Sequence, residues 1–123
     1  MPVILLVEGD ILARDPLAEY LRECGFTVFE ATNGDEAKVI LDRRNIGVVL
    51  ADMTTTGSGF ALLQWIKAQH SSVEVILAGS IERAVAEAGD LCNNGPALAK
   101  PYEHRLVLER IRQAIARREG NAI

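Results

Sequence analysis

Aromatic residues are scarce in this chain, at 5%, and there are only two cysteines and two histidines. Cys24 and Cys92 stand far apart and lack CxxC spacing. That excludes a metal knuckle and speaks against a disulfide framework, so they read as two reduced thiols in a cytosolic protein. Long apolar runs are missing as well. None approaches the ~18 residues of a membrane span. The longest early run, Val3 to Val7, stops at Glu8 with no basic flank before it and no small-residue cleavage site after it, which argues against a signal peptide. Basic charge is in deficit, with 13 Lys and Arg against 17 Asp and Glu and a net charge of -4. Direct nucleic-acid binding by the chain as a whole would need the opposite bias. Neither GxGxxG nor the P-loop lysine pattern occurs, which sets aside a small nucleotide- or flavin-dependent enzyme. Gly57-Ser58-Gly59 supplies a turn and, in Ser58, an N-cap for the next helix. No residue set suggests hydrolytic catalysis.

What is present is a hydrophobic fraction of 49% and a charged fraction of 24% over 123 residues, which is ordinary globular usage and room for one domain. Short β-rich runs alternate with helical patterns. Val3 to Val7 is a continuously apolar strand, as expected where both sheet faces are covered. Residues 11–24 have helical spacing in Leu12, Leu17, Tyr20, Leu21 and Cys24. Pro16 falls inside that pattern. Either the helix proper begins there with Asp15 as N-cap, or a longer helix kinks. Gly25 is placed to end it. Thr27–Ala31 is the second strand, and residues 35–43 the second helix. Ile46–Ala51 is the third strand, Phe60–Gln69 a helix, and Val73–Ala78 the fourth strand. Trp65 reads as a packing residue of that helix, and His70 ends it, where a cation is favourable. Ile81–Ala88 reads as a weaker fourth helix, followed by a loose stretch over 90–96. A short fifth strand lies around Ala97-Leu98-Ala99, and residues 103–118 form the last helix.

Strand–helix alternation of this kind predicts an α/β fold, a single doubly wound parallel sheet of five strands with helices on both faces. The length and right-handed crossovers suit the flavodoxin-like order 2-1-3-4-5. In such sheets ligands bind outside the carboxyl ends of the strands, here at the switch between strands 1 and 3. Strand 1 runs out into Glu8, with Asp10 just beyond, and strand 3 into Asp52. Neighbouring strands lie about 4.8 Å apart, so these acids converge. Carboxylates without a basic neighbour raise one another's pKa, and Mg²⁺, which takes carboxylates and waters, relieves the repulsion. The alternative is that Glu8 and Asp10 face solvent or cap the next helix. Lys100-Pro101 follows the fifth strand at the same edge. A lysine there can reach across the acids to pair with an added phosphoryl group, although alone the dipeptide is a turn signal.

Four segments, in this order and spacing, carry a resemblance. They are Val3-Ile4-Leu5-Leu6-Val7-Glu8; Glu19-Tyr20-Leu21-Arg22-Glu23-Cys24-Gly25-Phe26; Ala31-Thr32-Asn33-Gly34-Asp35-Glu36-Ala37; and Leu98-Ala99-Lys100-Pro101-Tyr102. Over roughly residues 2–119 the chain resembles the receiver domain of two-component response regulators. The resemblance implies that a sensor histidine kinase or phosphotransfer protein donates a phosphoryl group to Asp52, forming an acyl phosphate. It implies that Mg²⁺ bridges Asp52, an acid at the end of strand 1 and a backbone carbonyl at Thr54, and that Lys100 contacts the phosphoryl group. Such a module is cytoplasmic and signals through protein contacts, to a downstream protein or a fused effector, rather than by turning over a substrate. The span accommodates one receiver domain over 1–123, either standing alone or cut from a longer protein.

The sequence departs from that family pattern in four places. The acidic pair of strand 1 reads Glu8-Gly9, so the usual second acid, the direct metal ligand, is missing. Asp10 can substitute only through a backbone adjustment that glycine permits. Ala78 stands where the family has a hydroxyl residue that hydrogen-bonds the phosphoryl group, with Ser80 two residues on. Ala97 replaces the usual switch aromatic, while Tyr102 matches a packing aromatic. The loop after Asp52 is shorter than usual, with Thr56 in place of its proline. These losses motivate a second reading, a degenerate receiver acting as a phosphorylation-independent interaction or dimerisation module. For either reading the output and homodimer surface expected from the resemblance is the fourth helix, fifth strand and last helix. The last helix carries Arg105, Arg110, Arg112, Arg117 and Arg118 against Glu103, Glu109 and Glu119. An ordinary solvated helix whose late arginines offset the macrodipole is the plainer alternative.

Overall fold

A computed structural model describes residues 3–52 and 59–94 of the chain. Four strands, β1 (Val3–Val7), β2 (Thr27–Ala31), β3 (Val48–Asp52) and β4 (Glu74–Ala78), alternate with four helices, α1 (Ile11–Glu23), α2 (Gly34–Arg43), α3 (Gly59–Gln69) and α4 (Ile81–Asn94). The strands pair in parallel in the order β2-β1-β3-β4. That is the expected order as far as the described strands reach. The expected fifth strand at 97–99 and last helix at 103–118 lie outside the described residues, as do Thr54, Ser58, Ala97, Lys100 and Tyr102 and the arginines of that helix.

The two-residue period of a strand sorts the core into two layers. Ile4, Leu6, Val48 and Leu50 face Leu17, Leu21 and Tyr20 of α1 and Val85 and Ala88 of α4. Leu5, Val7, Val49 and Ala51 face Ala37 and Leu41 of α2 and Leu62 and Ile66 of α3. Continuous apolar runs are therefore required in β1 and β3, since neither face is wet. The side chains of Ile4, Leu5, Leu21, Val49 and Ile66 are wholly buried, each stabilising the fold by roughly 1.5–3 kcal/mol.

The helix ends follow local chemistry. Asp10 is the N-cap of α1, its Oδ1 accepting from the Leu12 N–H at 3.0 Å. The helix therefore starts five residues before Pro16, which lies inside it, and the longer-helix alternative holds over a start capped by Asp15. At the other end Gly25 has φ 98°. Its N–H donates to Arg22 O and that of Phe26 to Leu21 O, the paired bonds of a left-handed glycine stop. Asn33 caps α2 through the Glu36 N–H at 2.9 Å, and Glu36 reaches back to the Thr32 N–H and hydroxyl. Those bonds, the hydroxyl's first, hold the Glu36 carboxyl below its ordinary value.

Several expectations are corrected. α4 continues to Asn94 instead of ending near Ala88, so much of the expected loose stretch is helical. It packs on the α1 side of the sheet, because Val85 and Ala88 place its apolar stripe against that layer. β3 begins at Val48, two residues later than expected, and includes Asp52. Gly47 still bonds to Val3 and Glu74 but joins the strand from a turn. Cys24, fully buried, is disulfide-bonded rather than a free thiol. His70 contacts Asp42 of α2, Nε2 to Oδ1 at 3.0 Å, and its ring lies 5.3 Å from that of Trp65. Trp65 is only partly buried and also carries the Lys38 ammonium 5.5 Å from its ring. Among the described residues no helix is long and apolar enough to cross a membrane.

Candidate functional site

The register of β1 on β3 builds the site. Val7 is opposite Ala51, so one step further Glu8 comes opposite Asp52. Both share the parity of Leu6 and Leu50 and leave the sheet on the same side. The two carboxyl groups lie close enough to interact by charge and, when one of them is protonated, to share a hydrogen bond. Burial raises the Glu8 carboxyl above its ordinary value of 4.5, and the Asp52 charge and hydrogen bond push the same way. The Asp10 N–H, which donates to Glu8 Oε2 at 2.9 Å, opposes them. A raised carboxyl beside a second acid suits a site that would hold a cation or share a proton.

Asp10 has a different part. Its Oδ1 is engaged in capping α1, and its N–H steers Glu8. The capping alternative is thus what the structure shows for Asp10, while Glu8 turns inward to Asp52. Gly9 between them supplies no side-chain ligand. Among the described residues no group of three potential ligands is arranged to hold a metal ion. Two carboxylates remain, which suits Mg²⁺ held by one or two carboxylates with waters completing its shell. Thr54, the expected carbonyl ligand, and Lys100 lie outside the described residues.

Ala78 sits directly opposite Asp52 in the β3–β4 register and is 1% exposed. No hydroxyl is available there. Ser80 does not substitute. The strand ends at Ala78, and the Ser80 Oγ accepts from the Arg83 N–H at 3.1 Å while its carbonyl accepts from Ala84. Ser80 is the N-cap of α4.

An ion-pair cluster beside the site, centred on Glu30, escaped the sequence reading. Arg14 Nε donates to Glu30 Oε1 at 3.0 Å, and its Nη1 donates to the Glu8 carbonyl oxygen at 2.9 Å. Arg22 Nη2 donates to the other Glu30 oxygen at 3.2 Å and to Val28 O at 2.7 Å. The only signal in the sequence was a charged residue, Glu30, interrupting an otherwise half-apolar strand.

A family model described as response regulator receiver domain matches residues 4–112. The sensory transduction protein RegX3 of Mycobacterium tuberculosis is 33% identical over 123 residues, covering 98% of this chain and 53% of RegX3. The aerobic respiration control protein ArcA of Escherichia coli is 28% identical over 117 residues, covering 94% and 49%. The chain thus spans about half the length of these curated relatives. A solved structure of the MaeR response regulator bound to beryllium trifluoride superposes with a TM-score of 0.58 at 29% identity, covering 98% of this chain and 99% of that one.

Proposed function

The chain belongs to the response regulator receiver domain family of two-component signalling, and from that premise we propose that Asp52 is its phosphoacceptor. The observation that carries this reading is the Glu8–Asp52 pair at the carboxyl ends of β1 and β3. A kinase or phosphotransfer protein presents phosphohistidine. An Asp52 carboxylate oxygen forms the new P–O bond as the P–N bond to the histidine breaks, and the histidine nitrogen keeps the electron pair and takes a proton. Phosphoryl transfer asks for positioning and charge neutralisation rather than a strong base. Glu8 and Asp52 are the residues that would hold Mg²⁺, with Thr54 as a third ligand, and when bound the ion neutralises the charge on the transferring oxygens. Lys100 pairs with the phosphoryl group once it is on Asp52. The relative MaeR, bound to beryllium trifluoride, supports a site of this chemistry. Output passes to a downstream protein or a fused effector, by way of the fourth helix, fifth strand and last helix, which also form the homodimer surface.

Intact mass after incubation with acetyl phosphate and Mg²⁺ tests the assignment. The wild type gains one phosphoryl group, and Asp52→Asn gains none. An adduct persisting in that variant places the site elsewhere.

The second reading, a receiver that binds partners without phosphorylation, is favoured by one observation. The residue opposite Asp52 is the buried Ala78, and the nearby Ser80 hydroxyl is used as a helix cap. Loss of the hydroxyl uncouples the phosphoryl group from β4. Sedimentation with and without beryllium trifluoride separates the two readings. Association that ignores the mimic supports the second, and a mimic-dependent change supports a working switch.

A further inference from the structure

Resting on the phosphoacceptor reading, we propose that Arg14 is a positioning residue, which holds the β1–α1 junction so that the Glu8 carboxyl turns toward Asp52. Arg14 stands near the start of α1, yet its side chain is only 11% exposed, which is rare for a charged residue without a built set of partners. Those partners are specific. The guanidinium bonds the Glu8 carbonyl oxygen at 2.9 Å and Glu30 Oε1 at 3.0 Å. Glu30 is itself held by Arg22 at 3.2 Å. The N–H of Glu8 donates to Ala31 O at 3.0 Å. Residue 8 is therefore clamped on both sides, by β2 at its N–H and by α1 at its carbonyl.

The clamp matters because Gly9 comes next. Glycine gives the junction the widest backbone freedom of any residue, so the Asp10 N–H can steer the Glu8 carboxyl only if the backbone of residue 8 is itself held in place. A planar guanidinium with donors at fixed angles does this, and a lysine ammonium does not. A residue that merely ties α1 to β2 would stabilise the fold and leave the acidic pair unaffected.

The Asp10 N–H reports the pair directly, since it donates to Glu8 Oε2. Amide hydrogen exchange and Mg²⁺ titration by NMR are compared in the wild type, Arg14→Lys and Glu30→Gln. In Arg14→Lys, exchange at Asp10 should quicken about tenfold, as for one lost hydrogen bond. Exchange at Leu21 and Leu50 should follow global stability only. Mg²⁺ affinity should fall roughly 10–100-fold, the usual cost of losing a group that orients a ligand. A folded Arg14→Lys with unchanged exchange at Asp10 and unchanged Mg²⁺ affinity overturns the proposal. Should that variant not fold, Glu30→Gln decides. It weakens the anchor of Arg14 and should move both readouts in the same direction, and no movement overturns the proposal. A wild type that binds no Mg²⁺ and takes no phosphoryl group sinks the phosphoacceptor reading, while Asp10 exchange still decides the role of Arg14.

Discussion

Replacing Glu8 by Gln should stabilise the protein at neutral pH, although it removes a charged residue from the candidate site. Two carboxylates at the ends of adjacent strands, about 4.8 Å apart, repel by about 3 kcal/mol at an effective dielectric of about 20 and about 1 kcal/mol in water. Glu8 is half-buried, so solvent screens much of this and the lower figure is the better guide. Gln keeps an acceptor for the Asp10 N–H and gains a donor for Asp52, which turns repulsion into a hydrogen bond. The expected gain is about 1 kcal/mol, or about 4 °C in Tm for a domain of this size. The pH dependence follows from the raised Glu8 carboxyl. Between 4.5 and that raised value the folded state holds more protons than the unfolded one, so wild-type stability falls as pH rises through that window. Glu8→Gln should lack this fall. Urea unfolding from pH 4 to 8 (conditions chosen about the ordinary glutamate value) gives both quantities. Added Mg²⁺ should stabilise the wild type by mass action and the variant much less. A variant less stable than the wild type at neutral pH, with the same pH slope, would refute repulsion between Glu8 and Asp52.

Gly9→Asp restores the second acid of the strand 1 pair and should tighten Mg²⁺ binding, measured by calorimetry; equal affinities in the two proteins would mean the site already has its full set of ligands. Asp10→Ala removes the α1 N-cap and should lower stability by about 1 kcal/mol in urea unfolding, with a further loss of order around Glu8 visible in NMR. Leu21→Ala, at a fully buried position shared by α1 and the glycine stop, should cost about 2–5 kcal/mol, read as a lower urea midpoint at constant slope.

The strands β1 and β3 could be read from the chain because a sheet covered on both faces demands unbroken apolar runs, and Val3–Val7 and Val48–Ala51 supply them. The convergence of Glu8 and Asp52 followed from strand order alone, since each acid ends its run. Gly25 was equally legible: a glycine after the last apolar residue of a helix marks a left-handed stop. The strands and the glycine stop depend on neighbours within a few residues, where composition and period carry the information.

Other features depended on what comes near from far along the chain. Asp10 and Asp15 were both plausible caps for the first helix; the structure puts Asp10 at the cap and carries the helix through Pro16. Ser80 was a possible phosphoryl ligand until the end of β4 at Ala78 made it the cap of α4. Periodicity gave no indication of how far α4 runs, and a right-handed crossover in the order 2-1-3-4-5 points to the α2 and α3 layer, whereas Val85 and Ala88 pack in the α1 layer. Arg14 meets Glu30 sixteen residues away, and His70 meets Asp42 twenty-eight away. A charged side chain carries no mark of its partner in its local sequence. It is assigned only when the backbone places the two within hydrogen-bond reach, and for Arg14 and Glu30 that placement is made by the parallel pairing of β2 with β1 under α1.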